Sequence, residues 1–275
     1  MNSNYSNLFR RSVSRVAAAG VLAALGFGAA ACGAGGADDG ARSEKSSTTE
    51  GAVEKTGKKV LWMGDSIAAA EAPALGSALA AAGVEFKDGS SDGGGTVVDG
   101  GDQITRMISG DTWKELEGNL ASFRPNVVAY QVTAYDWGSR EQQRASYEKL
   151  VAKAKGAGAR AVFVPTPPIK IDDFFKEHAP QMATASPVAR DVVRASGGAA
   201  TYLDASQLWG TDAKAKKAQR AADGIHNCQQ GAAAFADWFT TELGRKEGFK
   251  PAPVDAWANG SWTGDKRYTT LKCER

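Results

Sequence analysis

The sequence predicts an α/β fold: a three-layer α/β/α sandwich with a flavodoxin-like parallel sheet of about five strands. Two observations predict it. Between residues 58 and 248, short apolar runs alternate with longer stretches of helical pattern. Strands alternating with helices imply parallel strands joined by crossovers. The runs are short, apolar and bounded by turn signals, which suits strands covered on both faces. Right-handed crossovers then leave a doubly wound sheet as the simplest arrangement.

The first strand is Lys59 to Gly64, where Val60-Leu61-Trp62-Met63 follows a basic pair and stops at a glycine. Further strands are expected at Val84 to Lys87, Asn126 to Val132, Arg160 to Pro165 and Ala200 to Leu203. Helices are expected at Pro73 to Ala82, Thr112 to Phe123, Arg140 to Gly156 and Gln229 to Leu243. Lys170 to Ser196 has a mixed pattern with Phe174, Phe175, His178 and Met182, and reads as a lid or substrate loop with some helix. Lys214 to Arg220 is a basic run that reads as a solvated face. The tail, residues 249–275, carries Trp257, Trp262 and Tyr268. Such aromatics either pack a tail onto its domain or stack on sugars.

Residues 1–31 stand apart from this domain. Arg10, Arg11 and Arg15 precede an apolar, Ala-rich run that ends at Ala29-Ala30-Ala31-Cys32. The run is short for a membrane span and suits a signal peptide. Its end allows two outcomes: lipidation of Cys32 as in bacterial lipoproteins, or plain cleavage after Ala31. Residues 32–57, rich in Gly and Ser, look like a flexible tether. The chain is therefore expected to be exported, and either lipid-anchored to the outer face of a bacterial membrane or secreted.

Losing the three leader arginines takes the formal charge from +2 to −1. No basic patch suggesting nucleic acid remains, and a monomer is expected. Hydrophobic residues at 43% and charged ones at 23% fit a globular domain. If Cys32 carries lipid, Cys228 and Cys273 are left to pair in an oxidising compartment; the alternative is two free buried thiols.

Two motifs carry chemistry. Gly64-Asp65-Ser66 ends the first strand, holding Ser66 at the C-terminal edge of the sheet and close to a helix N-terminus. Taken alone, such a serine is most often a helix cap. Asp223-Gly224-Ile225-His226, just before the last long helix, supplies a base and an orienting carboxylate on one loop. His178, the other histidine, lacks such a partner.

Together these blocks resemble the SGNH, or GDSL-type, hydrolases over roughly residues 58–244. The resemblance implies Ser66 as nucleophile, His226 as base and Asp223 as its orienter. It also implies an oxyanion hole of the Ser66 amide, a glycine among Gly93, Gly94 and Gly95 (Gly94 by preference), and Tyr135. Tyr135 stands where the family usually places an asparagine, in the segment Gln131 to Gly138. Asp65 and Trp137 are expected to contact substrate. No cofactor or metal is implied, and no metal-ligand spacing is present.

The expected activity is removal of a small acyl group, acetyl among them, from an envelope carbohydrate or glycolipid. An acyltransferase with the same triad and a non-catalytic envelope binding protein are the alternatives. Among SGNH proteins, those acting on acyl groups of envelope sugars are the most similar in style.

Overall fold

The computed structural model describes residues 53–273. The expected signal peptide, Cys32 and the tether up to residue 52 lie outside the described residues. Five strands form one parallel sheet: β1 (Lys59–Gly64), β2 (Glu85–Ser90), β3 (Val127–Gln131), β4 (Arg160–Val164) and β5 (Ala200–Tyr202). Their order is β2-β1-β3-β4-β5, the flavodoxin-like arrangement.

Among the described residues seven α-helices accompany the sheet: α1 (Ser66–Ala81), α2 (Gln103–Ser122), α3 (Arg140–Gly156), α4 (Ala179–Ala195), α5 (Ser206–Trp209), α6 (Gln229–Glu247) and α7 (Lys266–Thr270). Successive residues of a strand point to opposite faces, and β1 feeds two cores accordingly. Val60 and Trp62 join Leu75 of α1 and Phe235 and Phe239 of α6 on one face. Leu61 and Met63 join Tyr147 of α3 and Val188 of α4 on the other. Trp62 is fully buried, with its ring 5.5 Å from Phe235 and 5.4 Å from Phe239. Truncating such a residue costs about 3–5 kcal/mol.

Several boundaries differ from the sequence expectation, each for a local reason. Helix α1 starts at Ser66, not Pro73, because the Asp65 side chain caps it by accepting the Ile67 N–H. Pro73 lies inside it. Helix α2 starts at Gln103 instead of Thr112, capped by Asp102 through the N–H groups of Ile104 and Thr105. Much of the expected lid, residues 170–196, is the regular helix α4, whose Ala185, Val188, Ala189 and Val192 enter the core.

The tail packs against α1 and α6. Trp257, Trp262 and Tyr268 are buried in the α1–α6 core, and the Tyr268 hydroxyl donates to the Ala70 carbonyl. Their rings are thus not available to stack on sugars. A disulfide joins Cys228 to Cys273. No helix among the described residues is long and apolar enough to cross a membrane.

Candidate active site

Ser66 lies where β1 becomes α1, between the ends of β2 and β3. The turn is tight: a Cβ at Gly64 would fall 2.5 Å from that of Ala68. The second residue of the motif, Asp65, is only 1% exposed. One carboxylate oxygen takes the Ile67 N–H and the other the Ala134 N–H at 2.8 Å, tying α1 to the segment after β3. Burial raises its pKa to about 6 against these hydrogen bonds. Asp65 was expected to contact substrate. Its carboxylate is instead committed inward, because the helix needs a cap there.

His226 reaches Ser66 from the loop before α6. Its Nε2 lies 2.8 Å from Ser66 Oγ, and its Nδ1 lies 2.7 Å from Asp223 Oδ2. Asp223 Oδ1 also accepts the N–H groups of Ile225 and His226, at 2.8 and 3.1 Å. Burial alone would raise the Asp223 pKa, but the hydrogen bonds from His226 and these amides outweigh it and lower it. The carboxylate stays ionised and holds the imidazole proton on Nδ1, leaving Nε2 free to accept.

A short hairpin fixes this loop. Arg220 pairs with Asn227 in an isolated antiparallel bridge, and the Ala221 N–H donates to the His226 carbonyl. The Arg220 guanidinium donates to the Ala218 and Ile225 carbonyls and lies over Trp209. Behind it, Glu71 of α1 is fully buried and accepts from Gln131 Nε2 at 2.8 Å. Burial pushes Glu71 up to about 8, against the pull of Arg220 and the Gln131 hydrogen bond. Glu71 Oε1 and Gln131 Oε1 are buried without partners; a protonated Glu71 gives this pair of acceptors a donor. Neither Glu71 nor Arg220 stood out in the sequence, since their contacts join segments about 150 positions apart.

The oxyanion side is set by the loop after β2. Gly94 places its N–H on the Ser91 carbonyl at 3.3 Å, so the preferred glycine is partly committed to a turn. Gly95 makes the close approach: a Cβ there would sit 2.4 Å from the Gly64 carbonyl oxygen. The Ser66 amide, in the first turn of α1, has no intrahelical acceptor.

Tyr135 covers Gly94, whose Cβ would meet the ring at 3.1 Å. It packs on Trp137, Phe174 and Phe175 at centroid distances of 5.3, 6.1 and 5.8 Å. Trp137, expected to line the pocket, is 1% exposed and donates its ring N–H to Asp102 at 2.8 Å. His178 stacks on it at 3.8 Å. The outward aromatic at this rim is Phe174, 49% exposed.

Asp136 proves to be a structural hub. Fully buried, it accepts from Thr96, Tyr130, Thr133 and Tyr147, binding the Gly-rich loop to the end of β3. Burial raises its pKa despite these bonds.

A cavity of about 440 Å³ opens beside the pair, lined by Ser66 and His226 together with Ala70, Asp92 and four residues of the tail, Lys266, Arg267, Thr270 and Leu271. Arg267 is held by Asp88 and Asp92, at 2.9 and 3.1 Å. The tail's part in the site was not visible in the sequence, because the contact depends on where α7 folds back. Among the described residues, no group of three or more His, Cys, Asp or Glu is placed to hold a metal ion.

No protein-family model matches the chain, and no curated protein matches it. Solved structures do. An alpha/beta hydrolase from the metagenome of Lake Arreo, Spain, is 18% identical, with a TM-score of 0.50 over 70% of this chain and 98% of its own. A GDSL-like lipase from Bacteroides thetaiotaomicron is 11% identical, with a TM-score of 0.50 over 69% of this chain and 89% of its own. The chain has the fold of these hydrolases.

Proposed function

We propose that the chain is an SGNH-type serine esterase that removes a small acyl group from an envelope carbohydrate or glycolipid. The observation that carries this reading is the unbroken hydrogen-bond relay Ser66–His226–Asp223, at 2.8 and 2.7 Å, at the N-terminus of α1. The names of the two similar folds, a hydrolase and a GDSL-like lipase, support it.

In this mechanism Ser66 Oγ attacks the ester carbonyl while His226 Nε2 takes its proton. The oxyanion forms against the Ser66 and Gly95 amides, where the dipole of α1 favours negative charge. Collapse expels the alcohol, which takes the proton from His226. Because His226 lines the cavity under α7, the alcohol half is assigned to that cavity. Water, activated by the same histidine, then releases the acyl group from Ser66. Tyr135, whose ring covers Gly94, is assigned the donor role that an asparagine usually has. The reaction uses no cofactor.

Export fits the reading: residues 1–31 serve as leader, and the protein works at the outer membrane face through lipid on Cys32, or free. It acts as a monomer on an acylated carbohydrate or lipid, without nucleic acid.

The test is labelling of the purified protein by a fluorophosphonate probe, with hydrolysis of p-nitrophenyl acetate. Both should disappear in Ser66→Ala and His226→Ala proteins that melt like the wild type. A folded wild type that neither labels nor turns over would overturn the esterase and favour a binding role.

A further inference from the structure

Apart from Arg220, which braces the triad loop, the basic run Lys214 to Arg220 takes no part in this mechanism, yet it does not simply face solvent. It forms one wall of a cavity of about 700 Å³, with Lys170 on another wall and Lys272 of the tail on a third. Lys214, Lys216 and Arg220 bring the cations to five, and no Asp or Glu lines the cavity. Arg220 gives its guanidinium to the Ala218 and Ile225 carbonyls and is drawn electrostatically to Asp223 on the triad loop, so the four lysines carry the charge offered to a ligand. The lysine ion pairs among the described residues belong to Lys58, Lys59 and Lys153, so these four lysines have no carboxylate partner among the described residues. Arg220 Nη2 is buried without a hydrogen-bond partner. Without its leader the chain is close to neutral, so this is a local concentration of positive charge. Such a concavity focuses its field on anions. Its size lies within the range of about 300–1,000 Å³ seen for ligand sites.

The cavity backs directly onto the triad loop. Gly224, between Asp223 and His226, lines it, and its carbonyl accepts the Lys170 N–H at 2.8 Å. The disulfide cysteines line it too, which fixes Lys272 one residue from Cys273.

We propose that this cavity binds the anionic part of a carboxylate- or phosphate-bearing polysaccharide, holding the polymer while a neighbouring ester reaches Ser66. The proposal deepens the esterase reading by naming a charged polymer as the substrate class. A concave site suits a polymer strand, whereas a membrane surface would meet flat or convex faces.

The test reads binding, so it is independent of turnover. Polygalacturonate, neutral dextran and vesicles of phosphatidylglycerol with phosphatidylcholine are titrated against the protein without its leader, residues 32–275, carrying Cys32→Ser and Ser66→Ala, so that neither leader nor lipid contributes to vesicle binding. Polygalacturonate should bind and dextran should not, and raising salt from about 50 to 200 mM should weaken binding several-fold. Lys214→Glu with Lys216→Glu should weaken it about tenfold or more, since opposed charges replace attractive ones. Both lysines are exposed, so an unchanged melting temperature is expected. Lys170→Ala with Lys272→Ala is a second, independent variant and should weaken binding in the same direction. Equal binding of dextran, salt-insensitive binding, or full binding by both double variants would overturn the proposal. So would a preference for the vesicles, which would make the patch a membrane contact. None of these results alters the fluorophosphonate test of Ser66.

Discussion

Replacing Asp223 by Asn tests the relay at its least obvious member. The asparagine keeps the loop: its Oδ1 can still accept the N–H groups of Ile225 and His226, now at 2.8 and 3.1 Å from the carboxylate. Its Nδ2 then stands where Oδ2 lies 2.7 Å from His226 Nδ1. An amide N–H there must meet a lone pair, so the imidazole proton moves to Nε2. That atom, 2.8 Å from Ser66 Oγ, becomes a donor and cannot take the serine proton. The forming imidazolium also loses its counter-charge. Together these effects should slow acylation about 10⁴-fold, equivalent to roughly 5–6 kcal/mol of barrier. Asp223→Ala leaves room for water to accept from Nδ1, so the asparagine variant should be no faster than the alanine one. The assay is the pre-steady-state burst with p-nitrophenyl acetate and the rate of fluorophosphonate labelling, with melting temperatures alongside. A folded Asp223→Asn protein acylating within about tenfold of wild type would refute the tautomer argument.

Three further outcomes follow from other parts of the molecule. Burial raises Glu71 to about 8 and Asp65 to about 6 from ordinary carboxylate values, so the native state holds protons that the unfolded chain has released. Stability should therefore fall as pH rises from about 4 to 8, by an order of a few kcal/mol. Glu71→Gln should remove most of that slope above pH 6 in denaturant titrations, and an unchanged slope would assign it elsewhere. The Cys228–Cys273 disulfide closes a loop of sequence separation 45. Opening it with Cys273→Ser should cost up to about 4 kcal/mol in the chain-entropy account, read as a lower denaturation midpoint; no shift would show that the packed tail aromatics suffice. Gly95→Ala puts a methyl 2.4 Å from the Gly64 carbonyl oxygen. It should displace the nucleophile turn and cost about 100-fold in turnover or more, the scale of one lost oxyanion donor. Near-wild-type turnover would show that the nucleophile turn absorbs the methyl and would refute the close-approach argument.

The fold class and the ends of the relay were legible in the sequence because their signals are local. Four apolar residues before Gly64-Asp65-Ser66 mark a buried strand and its exit. A spacing of three positions from Asp223 to His226 lets a single loop carry both groups. Helix starts were legible in principle too: Asp65 and Asp102 are ordinary caps, and missing them delayed α1 and α2. Long-range contacts decided the rest. Trp137 looks like a pocket residue beside a strand end, but α2 supplies Asp102 to its ring N–H and His178 covers its face. Lys214 to Arg220 looks like a solvated face until Lys170 and Lys272 close the other walls of its cavity. Sequence alone determined which residues can form a strand, a cap or a proton relay, since those depend on spacing along one segment. Only the tertiary structure decided what surrounds them, because burial and electrostatic field at a point are summed over segments that meet only in the folded chain.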